Sequence, residues 1–372
     1  MHDLSGRTPD MLALLKKLVE IESPSDDRHS LQRLGKVIAT EARRLGARVE
    51  LHERPQAGPH VLARWGEGAG GILLLCHMDT VFPPGTLERM PFHEQQGRTF
   101  GPGVLDMKGG IVVALQAVEA LRDAGQIPPR PLSALFTSDE ESGSHTSRSL
   151  IEDLARQARM VFVLEPAMPD GALKTWRKGV GGFTLTARGR AAHAGGAHEK
   201  GRNAILELAH QVIRIEALTD YARGTSLNVG VVHGGTVSNV VPDQASASVD
   251  LRLLDPAEWS RIHSAMQKLK PVLEGTRLEL SGDLNRPPMP ATPAILEAFE
   301  EARRIARGLG LELKAGGTGG GSDANFVAPL GVPVLDGLGP VGDDYHSEKE
   351  FLFTASLPER TRLLAALMRD WP

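Results

Sequence analysis

Acidic and imidazole side chains stand where apolar segments of this 372-residue chain end. In the first such segment, the apolar run at 73–76 ends in His77, and Asp79 follows two residues later. A run of this kind is typical of a buried strand in an α/β sheet, and ligands gather outside the carboxyl ends of such strands. Residues two apart on an extended backbone project to the same side, so Asp79 is placed to orient the His77 ring. The pattern predicts the first ligand of a metal site, provided that other segments supply more ligands.

Four further positions carry the same kinds of side chains, at the ends of apolar segments or beside glycine-rich turns. Taken singly, each has a structural explanation, such as a helix N-cap for Asp106 or a surface acid for Glu165. The whole set is hard to explain by packing alone, because the carboxyl ends of parallel strands meet at one edge of a sheet. The predicted metal ligands are His77, Asp106, Glu141, Glu165 and His346.

This ligand set suits two metal ions rather than one. If Asp106 gives one oxygen to each ion, each ion has three protein ligands, and a bridging water completes a tetrahedral shell. Nitrogen and oxygen ligands without thiolate suit two zinc ions, with cobalt or manganese as alternatives. Glu140 diverges from its neighbour Glu141 and is placed to act as the general base toward the water. Cys76 points away from His77 on the strand, so we expect it to be a small buried apolar residue.

Strands alternate with helices on both sides of these ligand segments and predict the domains that position them. The first part of the chain predicts an α/β domain with a largely parallel sheet. From about Gly179 the order becomes strand, helix, two strands, helix and strand, which is the ferredoxin-like split unit. A proline-rich segment at 285–293 leads back to the first domain. We therefore predict a catalytic domain at 1–178 and 290–372, with an inserted α+β domain at 179–289.

The composition excludes several classes of partner. A net charge of −4 and an aromatic content of 4% give no reason to expect nucleic acid or an anionic membrane surface. The N-terminal segment is polar and lacks the apolar core of a signal peptide. No stretch approaches the roughly 20 apolar residues of a transmembrane helix. The single cysteine cannot form an intrachain disulfide, so we expect a cytoplasmic protein.

The motifs around these residues resemble those of the co-catalytic zinc aminoacylase/carboxypeptidase family. They occur in the family's order along nearly the whole chain, and the branch they most resemble is that of the glutamate carboxypeptidases. The resemblance implies a zinc-exopeptidase-like catalytic domain and an inserted lid and dimerisation domain. It also implies the same five ligands with Asp106 bridging, and a cis peptide bond after Asp106. The matching motifs are HMDTV at 77–81, GPG to DMKGG at 101–110, TSDEE at 137–141, EP at 165–166, AHAG at 192–195, VSNVVP at 237–242, GGGSDA at 319–324 and YHS at 345–347.

The same resemblance implies substrate-binding residues in and near the inserted domain. His193 is expected to stabilise an oxyanion in the active site of the other subunit of a homodimer. Asn239 and Arg252 are expected to bind the substrate's carboxylate, assisted by the backbone at Gly320. Structural alternatives stay open, because Asn239 also suits a turn and Arg252 also suits the surface of a strand.

The resemblance implies a carboxypeptidase that releases a C-terminal amino acid, preferentially glutamate-like, from a small peptide or an N-acyl amino acid. The alternative is an N-acyl-amino-acid deacylase of the acetylornithine deacetylase or succinyl-diaminopimelate desuccinylase type. A third hypothesis, an inactive metal-binding homologue, is disfavoured because such a protein has no need of a base at Glu140. Arg177 and Lys178 either contact an acidic substrate or are solvated hinge charges.

Overall fold

The computed structural model describes residues 3–372. The strands are β1 Arg48–His52, β2 His60–Trp65, β3 Gly71–His77, β4 His93–Gln95, β5 Arg98–Phe100, β6 Leu132–Thr137, β7 Ala158–Val163, β8 Leu173–Arg177, β9 Gly179–Arg188, β10 Ala192–His193, β11 Ser226–Gly234, β12 Val240–Val241, β13 Gln244–Leu253, β14 Arg277–Arg286, β15 Ala315–Thr318, β16 Val334–Leu335, β17 Gly342–Asp343 and β18 Phe351–Phe353. The helices are α1 Thr8–Val19, α2 Arg28–Arg44, α3 Thr86–Arg89, α4 Gly109–Asp123, α5 Arg148–Gln157, α6 Ala204–Glu216, α7 Glu258–Gln267, α8 Pro293–Arg307, α9 Ala324–Val327 and α10 Ser356–Asp370. None of the helices in this described part of the chain has both the length and the apolar character needed to cross a bilayer.

The chain forms two compact units. The first unit comprises the chain up to Trp176 together with Ala291–Thr318 and Ser322–Pro372. The second comprises Arg177–Pro290 and Gly319–Gly321. The second unit covers the segment for which the sequence predicts an inserted domain, and it also takes in the three glycines at 319–321, which the sequence does not assign to it.

A six-stranded sheet with the order β1-β2-β6-β3-β7-β16 forms the centre of the first unit. Parallel pairing joins β6, β3, β7 and β16, whereas β2 and β1 add antiparallel strands at one edge. Every residue of β3 is buried, as expected for an internal strand covered on both faces. The predicted α/β class with a mostly parallel central sheet is confirmed.

A glycine allows helix α4 to start close to the chain that leaves β7. A Cβ atom on Gly110 would lie 2.1 Å from the main-chain oxygen of Leu164, so a side chain at this position requires the backbone to move. Helix α4 is buried over most of its length, so its position is set by packing on several sides. This close approach brings the turn that contains Asp106 beside the segment that contains Glu165.

Two small sheets of the first unit have no counterpart in the sequence analysis. One pairs β15 with β8, and the other has the order β17-β18-β5-β4. Strands of two to five residues are too short to show a clear alternation of apolar and polar side chains. The second of these sheets matters for the site, because β17 and β18 flank the loop that contains His346.

The second unit has an antiparallel sheet with the order β11-β13-β9-β14. Along β9, Phe183, Leu185 and Ala187 are buried and alternate with more exposed residues, as the sequence predicts. Helices α6 and α7 pack against this sheet. The element order and strand order are those of the ferredoxin-like split unit, so this part of the predicted fold class is confirmed.

Candidate metal centre

Three neighbouring parallel strands bring predicted ligand residues to the same edge of the central sheet. His77 is the last residue of β3, which lies between β6 and β7. Glu141 lies four residues beyond the end of β6, and Glu165 lies two residues beyond the end of β7. Parallel strands end at a common edge, so these side chains meet there although they are far apart in the sequence.

Asp106 lies between the two predicted histidine ligands. Its Oδ1 atom is 3.0 Å from Nε2 of His77, and its Oδ2 atom is 3.3 Å from Nε2 of His346. One carboxylate oxygen therefore faces each imidazole, which is the arrangement that a bridging carboxylate requires. The peptide bond between Asp106 and Met107 is cis, as the resemblance implies.

The remaining two acids divide between the histidines. Oε1 of Glu165 is 3.4 Å from Nε2 of His77, and Oε2 of Glu141 is 3.4 Å from Nε2 of His346. The structure thus brings all five predicted ligands together, as two sets of three that share Asp106. The two sets are adjacent, since single donor atoms from His77, Asp106 and Glu141 lie within 4.8 Å of one another.

The donor set fits divalent metal ions. The side chains of His77, Asp106, Glu141 and Glu165 are no more than 9% exposed. Among residues 3–372, nothing offers a hydrogen bond to the buried Oε1 atom of Glu141. A buried carboxylate oxygen without a partner is costly, and a cation removes that cost. Nitrogen and oxygen donors without sulfur suit zinc, cobalt or manganese.

The electrostatics of the cluster favour positive charge at both histidines. Hydrogen bonds to Asp106 and Glu141 raise the pKa of His346 to about 11. Burial opposes a charge on His77, but hydrogen bonds to Asp106, Asp79 and Glu165 still raise the pKa of its ring. Burial raises the pKa of Glu141 to about 7. Acids and imidazoles so closely packed are a common feature of metal and catalytic sites.

Asp79 contacts both a predicted ligand and the turn that carries the predicted base. Nδ1 of His77 lies 3.0 Å from the main-chain oxygen of Asp79 and 3.5 Å from its Oδ1 atom. The carboxylate also accepts hydrogen bonds from the main-chain N–H groups of Glu140 and Glu141, at 3.2 and 3.0 Å, and from the Ser25 hydroxyl. The sequence predicts contact with the His77 ring alone, whereas the structure shows that Asp79 also holds the turn carrying Glu140 and Glu141.

Two buried ionisable residues beside Asp106 are missing from the sequence-based site. Lys108 is 1% exposed and donates from Nζ to the main-chain oxygen of Ile21, and burial lowers the pKa of Lys108 to about 7. Glu350 is fully buried, and burial raises its pKa to about 8. The available signal was position: Lys108 lies two residues after one predicted ligand, and Glu350 lies four residues after another.

Asp323, in the glycine-rich motif near the end of the chain, was also missed as a contributor to this region. Its carboxylate accepts hydrogen bonds from the Ser144 hydroxyl at 2.5 Å and the Thr137 hydroxyl at 3.3 Å. Thr137 ends β6, and Ser144 follows the turn with Glu140 and Glu141, so Asp323 braces both sides of that turn.

Two predicted substrate-binding residues, His193 and Asn239, lie on neighbouring segments of the second unit. His193 pairs with Val240, and the main-chain oxygen of Asn239 accepts a hydrogen bond from Ala194 at 2.9 Å. Nδ1 of His193 accepts hydrogen bonds from two glycine N–H groups that follow it, at 3.0 and 3.1 Å. The hydrogen of the neutral ring must then be on Nε2, which makes His193 a hydrogen-bond donor toward solvent.

The other two, Arg252 and Gly320, meet at the glycine segment 319–321 of the second unit. Arg252 donates to both carboxylate oxygens of Asp250, at 2.8 and 3.0 Å, and its Nη1 lies 3.4 Å from the main-chain oxygen of Gly319. Arg177 donates to the main-chain oxygens of Gly320 and Gly321 at 3.2 and 2.8 Å. Since Arg177 is 3% exposed, it is a buried brace of this segment and not a solvated hinge charge.

This arrangement has counterparts among known proteins. The profile of Peptidase family M20/M25/M40 matches residues 73–370, a range that includes every predicted site residue. The chain belongs to this peptidase family. It is therefore a metal-dependent hydrolase.

Individual members of the peptidase family match over most of their length. The chain is 30% identical to carboxypeptidase G2 from Pseudomonas sp. (strain RS-16), covering 97% of this chain and 89% of the relative. It is 30% identical to the succinyl-diaminopimelate desuccinylase of Dechloromonas aromatica, covering 83% and 85%. Among solved structures, aminopeptidase PepT from Bacillus cereus matches with a TM-score of 0.79 at 22% identity, covering 98% of each chain, which shows the shared fold.

Proposed function

We propose that this peptidase is a two-zinc hydrolase that cleaves an amide bond and releases a C-terminal amino acid. The observation that carries the proposal is the position of Asp106, which directs one oxygen to His77 and the other to His346. The buried Oε1 atom of Glu141, which has no hydrogen-bond partner within the described range 3–372, supports it further. Cobalt and manganese are the alternatives that the same donors accept.

Metal ions held by the five ligands would polarise the substrate's carbonyl and lower the pKa of water. Glu140 is the proposed general base, taking a proton from the attacking water and delivering it to the leaving amine. The main-chain N–H groups of Glu140 and Glu141 both donate to Asp79, so the proposed base lies on the same turn as Glu141. We propose that His193 donates from Nε2 to the oxyanion formed in the site of a second subunit.

The proposed substrate is a small peptide or an N-acyl amino acid with a free carboxylate on the amine side. Arg252 is the proposed partner of this carboxylate, because a guanidinium binds carboxylates in a fork. Asp250 takes the Nε and Nη2 edge of the group, so a substrate would meet its Nη1 side. Asn239 and the backbone at Gly320 are the proposed further contacts. The glutamate preference depends on the resemblance of the motifs at 77–81 and 317–324 to the glutamate carboxypeptidase branch.

The second candidate function is deacylation of an N-acyl amino acid. The similarity to a succinyl-diaminopimelate desuccinylase favours it. Initial rates on N-acylated Glu, Asp, Ala and Arg, on peptides with these C-termini, and on succinyl-diaminopimelate separate the two candidates. The carboxypeptidase proposal expects the highest kcat/KM on the compounds that release glutamate. Equal rates on all four amino acids would contradict the glutamate preference, and a maximum on succinyl-diaminopimelate would favour the deacylase.

The role of Glu140 is tested by Glu140→Gln, which keeps the shape of the side chain but removes the base. We expect turnover to fall by about 100-fold or more while metal content, measured by elemental analysis, stays at the wild-type level. Glu348→Gln is the control, because Glu348 is an exposed acid in an ion pair with Arg89 near His346. Near-normal turnover in Glu140→Gln would contradict the assignment.

We also propose that the second unit forms a homodimer. Its strand β11 is at the edge of the sheet and exposes Val231 and Val232, which are 47% and 52% exposed. Helix α6 exposes Ile213, which is 71% exposed. Sedimentation velocity on Ile213→Lys should show a shift toward monomer, and Leu296→Lys, at an exposed apolar position of the first unit, should not. The cytoplasmic location stays a prediction from the sequence.

A further inference from the structure

Glu350 binds the backbone of the turn that carries Asp106. Its side chain is fully buried. Oε1 accepts hydrogen bonds from the main-chain N–H groups of Leu105 at 2.7 Å and Asp106 at 3.0 Å, and Oε2 accepts one from Gly103 at 3.3 Å. The two partners are more than 240 residues apart in the chain. A buried carboxylate that satisfies three N–H groups of one turn is a specific anchor for that turn.

The turn depends on this anchor because it supplies few hydrogen bonds of its own. Asp106 and the residue after it have dihedral angles outside the helical region. Of the N–H groups from 103 to 106, only that of Val104 is bound within the turn, by the main-chain oxygen of Gly101. The other three are those bound by Glu350. Since buried N–H groups require partners, loss of the carboxylate leaves this turn unsatisfied.

The anchor and a ligand come from the same short segment. His346 lies four residues before Glu350, and hydrogen bonds from Ser347 to Asp344 and from Glu350 to Ser347 hold the chain between them in a compact turn. His346 itself has a φ of +64°, a backbone conformation that residues other than glycine rarely adopt. The position of His346 relative to Asp106 is therefore set by a direct backbone connection as well as by their own contact.

We propose that Glu350 is a positioning residue that holds Asp106 and His346 in the mutual geometry needed to bind two metal ions. The inference depends on the proposed two-metal site, and it assigns Glu350 no contact with metal or substrate. It predicts that the carboxylate acts on metal affinity through the backbone at 103–106, in the way that outer hydrogen-bond partners of ligands tune metal sites.

The second unit offers a matched control. Glu207 is also fully buried, and its carboxylate accepts main-chain hydrogen bonds from Val272 at 2.9 Å and Leu273 at 2.7 Å. It therefore makes the same kind of backbone anchor as Glu350. None of the predicted metal ligands is among its hydrogen-bond partners. Substitution at Glu207 reports the cost of losing such an anchor without an effect on the ligands.

The test compares Glu350→Met, Glu350→Gln and Glu207→Met with the wild type. Methionine keeps the length of the side chain without a strong acceptor, whereas glutamine keeps one carbonyl oxygen that can serve Leu105 and Asp106. Metal-free protein is titrated with Co²⁺ and followed by visible absorption, with thermal unfolding of the metal-free proteins in parallel. We expect Co²⁺ affinity to fall by about 10- to 100-fold in Glu350→Met and about 2- to 10-fold in Glu350→Gln. Glu207→Met should lower the melting temperature and leave the Co²⁺ titration unchanged.

Each outcome bears on a different statement. A wild type that binds no Co²⁺ contradicts the proposed two-metal function itself. A wild type that binds two Co²⁺ ions, with a folded Glu350→Met variant that has the same affinities and spectrum, overturns the positioning role alone. Should Glu350→Met fail to fold, Glu350→Gln decides, and wild-type Co²⁺ affinity in that variant overturns the proposal. Equal loss of affinity in Glu207→Met overturns it as well, because the effect would then be one of general stability.

Discussion

Two buried glutamates, Glu258 in the second unit and Glu141 in the first, have opposite surroundings. In the second unit, Glu258 is 3% exposed and both of its oxygens are bound, Oε1 by Arg223 and Oε2 by Thr225 and Arg261. Hydrogen bonds from Arg261 and Arg223 contribute to lowering the pKa of Glu258 to about 2. In the first unit, Glu141 has one oxygen near His346 and another without any partner among residues 3–372, and burial raises its pKa to about 7.

This is the difference expected between a structural acid and a proposed metal ligand. A buried acid whose oxygens are all bound by the chain stabilises the fold and needs nothing further. A buried acid with an unbound oxygen is a cost to the folded state, and it is tolerated where a ligand from outside the chain supplies the missing contact. Glu258 and Glu207 belong to the first class, and Glu141 belongs to the second.

The largest expected effect is that of Asp106→Asn, because Asp106 lies between the two histidines of the cluster. Asparagine keeps the shape of the side chain but removes its negative charge and replaces one oxygen by an amide nitrogen, which cannot bind a metal ion. We expect loss of at least one metal ion per chain and a fall in turnover of more than about 100-fold. This effect is larger than that of removing a residue that only hydrogen-bonds to a ligand. Elemental analysis and hydrolysis rates check both. Full metal content in this variant would show that Asp106 is not a bridging ligand.

Asp79→Asn should have the next largest effect. In the wild type, one carboxylate oxygen accepts from Glu140 and the other from Glu141. The asparagine amide has one oxygen and one NH₂ group, and the NH₂ group cannot accept, so one of the two hydrogen bonds is lost. We expect kcat to fall by about 10- to 100-fold, as for other partners that orient ligands. Ser25→Ala is the matched control, because it removes only the third hydrogen bond to the same carboxylate. Comparable losses in both variants would argue against a special role for the bonds to Glu140 and Glu141.

The parts of the site that the sequence predicts are those that follow directly from strand ends. His77 and Glu165 each follow an apolar run, and such runs identify both a strand and the sheet edge at which it ends. Asp106 and His346 follow no long strand, and their grouping with the other predicted ligands depended on residue type and on the ligand count that suits two metal ions. The main sheet and the ferredoxin-like unit were predictable for the same reason, because their strands are long enough to show a pattern.

The parts that were not predictable depend on contacts between distant segments. Glu350 is one of 46 acidic residues, and its place four residues after His346 indicates that it lies near the site but not that it is buried under the turn at 103–106. Arg177 could not be told from a solvated charge until its hydrogen bonds to Gly320 and Gly321 placed it inside the second unit. Burial of a charged side chain is a property of the folded chain, so residue type and spacing do not reveal it.

Glu258→Gln tests the structural side of the comparison. The variant removes the charge that binds Arg223 and Arg261, and one of its two side-chain atoms can no longer accept a hydrogen bond. We expect the free energy of unfolding to fall by about 1–3 kcal/mol, with metal content unchanged. Denaturant unfolding measures the first and elemental analysis the second. Glu279→Gln, in the exposed ion pair with Arg188, is the control and should lower the free energy of unfolding much less than Glu258→Gln does.

The smallest expected effect is the pH dependence of the difference in unfolding free energy between the wild type and Glu258→Gln. The pKa of Glu258 is about 2 in the folded protein and near the ordinary value of 4.5 in the unfolded chain. The folded carboxylate therefore stays ionised over a range in which the unfolded one takes up a proton, so its contribution to stability is complete above about pH 4.5 and declines as the pH falls toward 2. Denaturant unfolding of the wild type and Glu258→Gln at intervals between pH 6 and pH 3, about the range in which both remain measurable, should show the gap between them narrowing on acidification. A gap that stays constant, or widens, would mean that the arginines do not hold Glu258 ionised, and Glu258 would then not be the fully satisfied counterpart of Glu141.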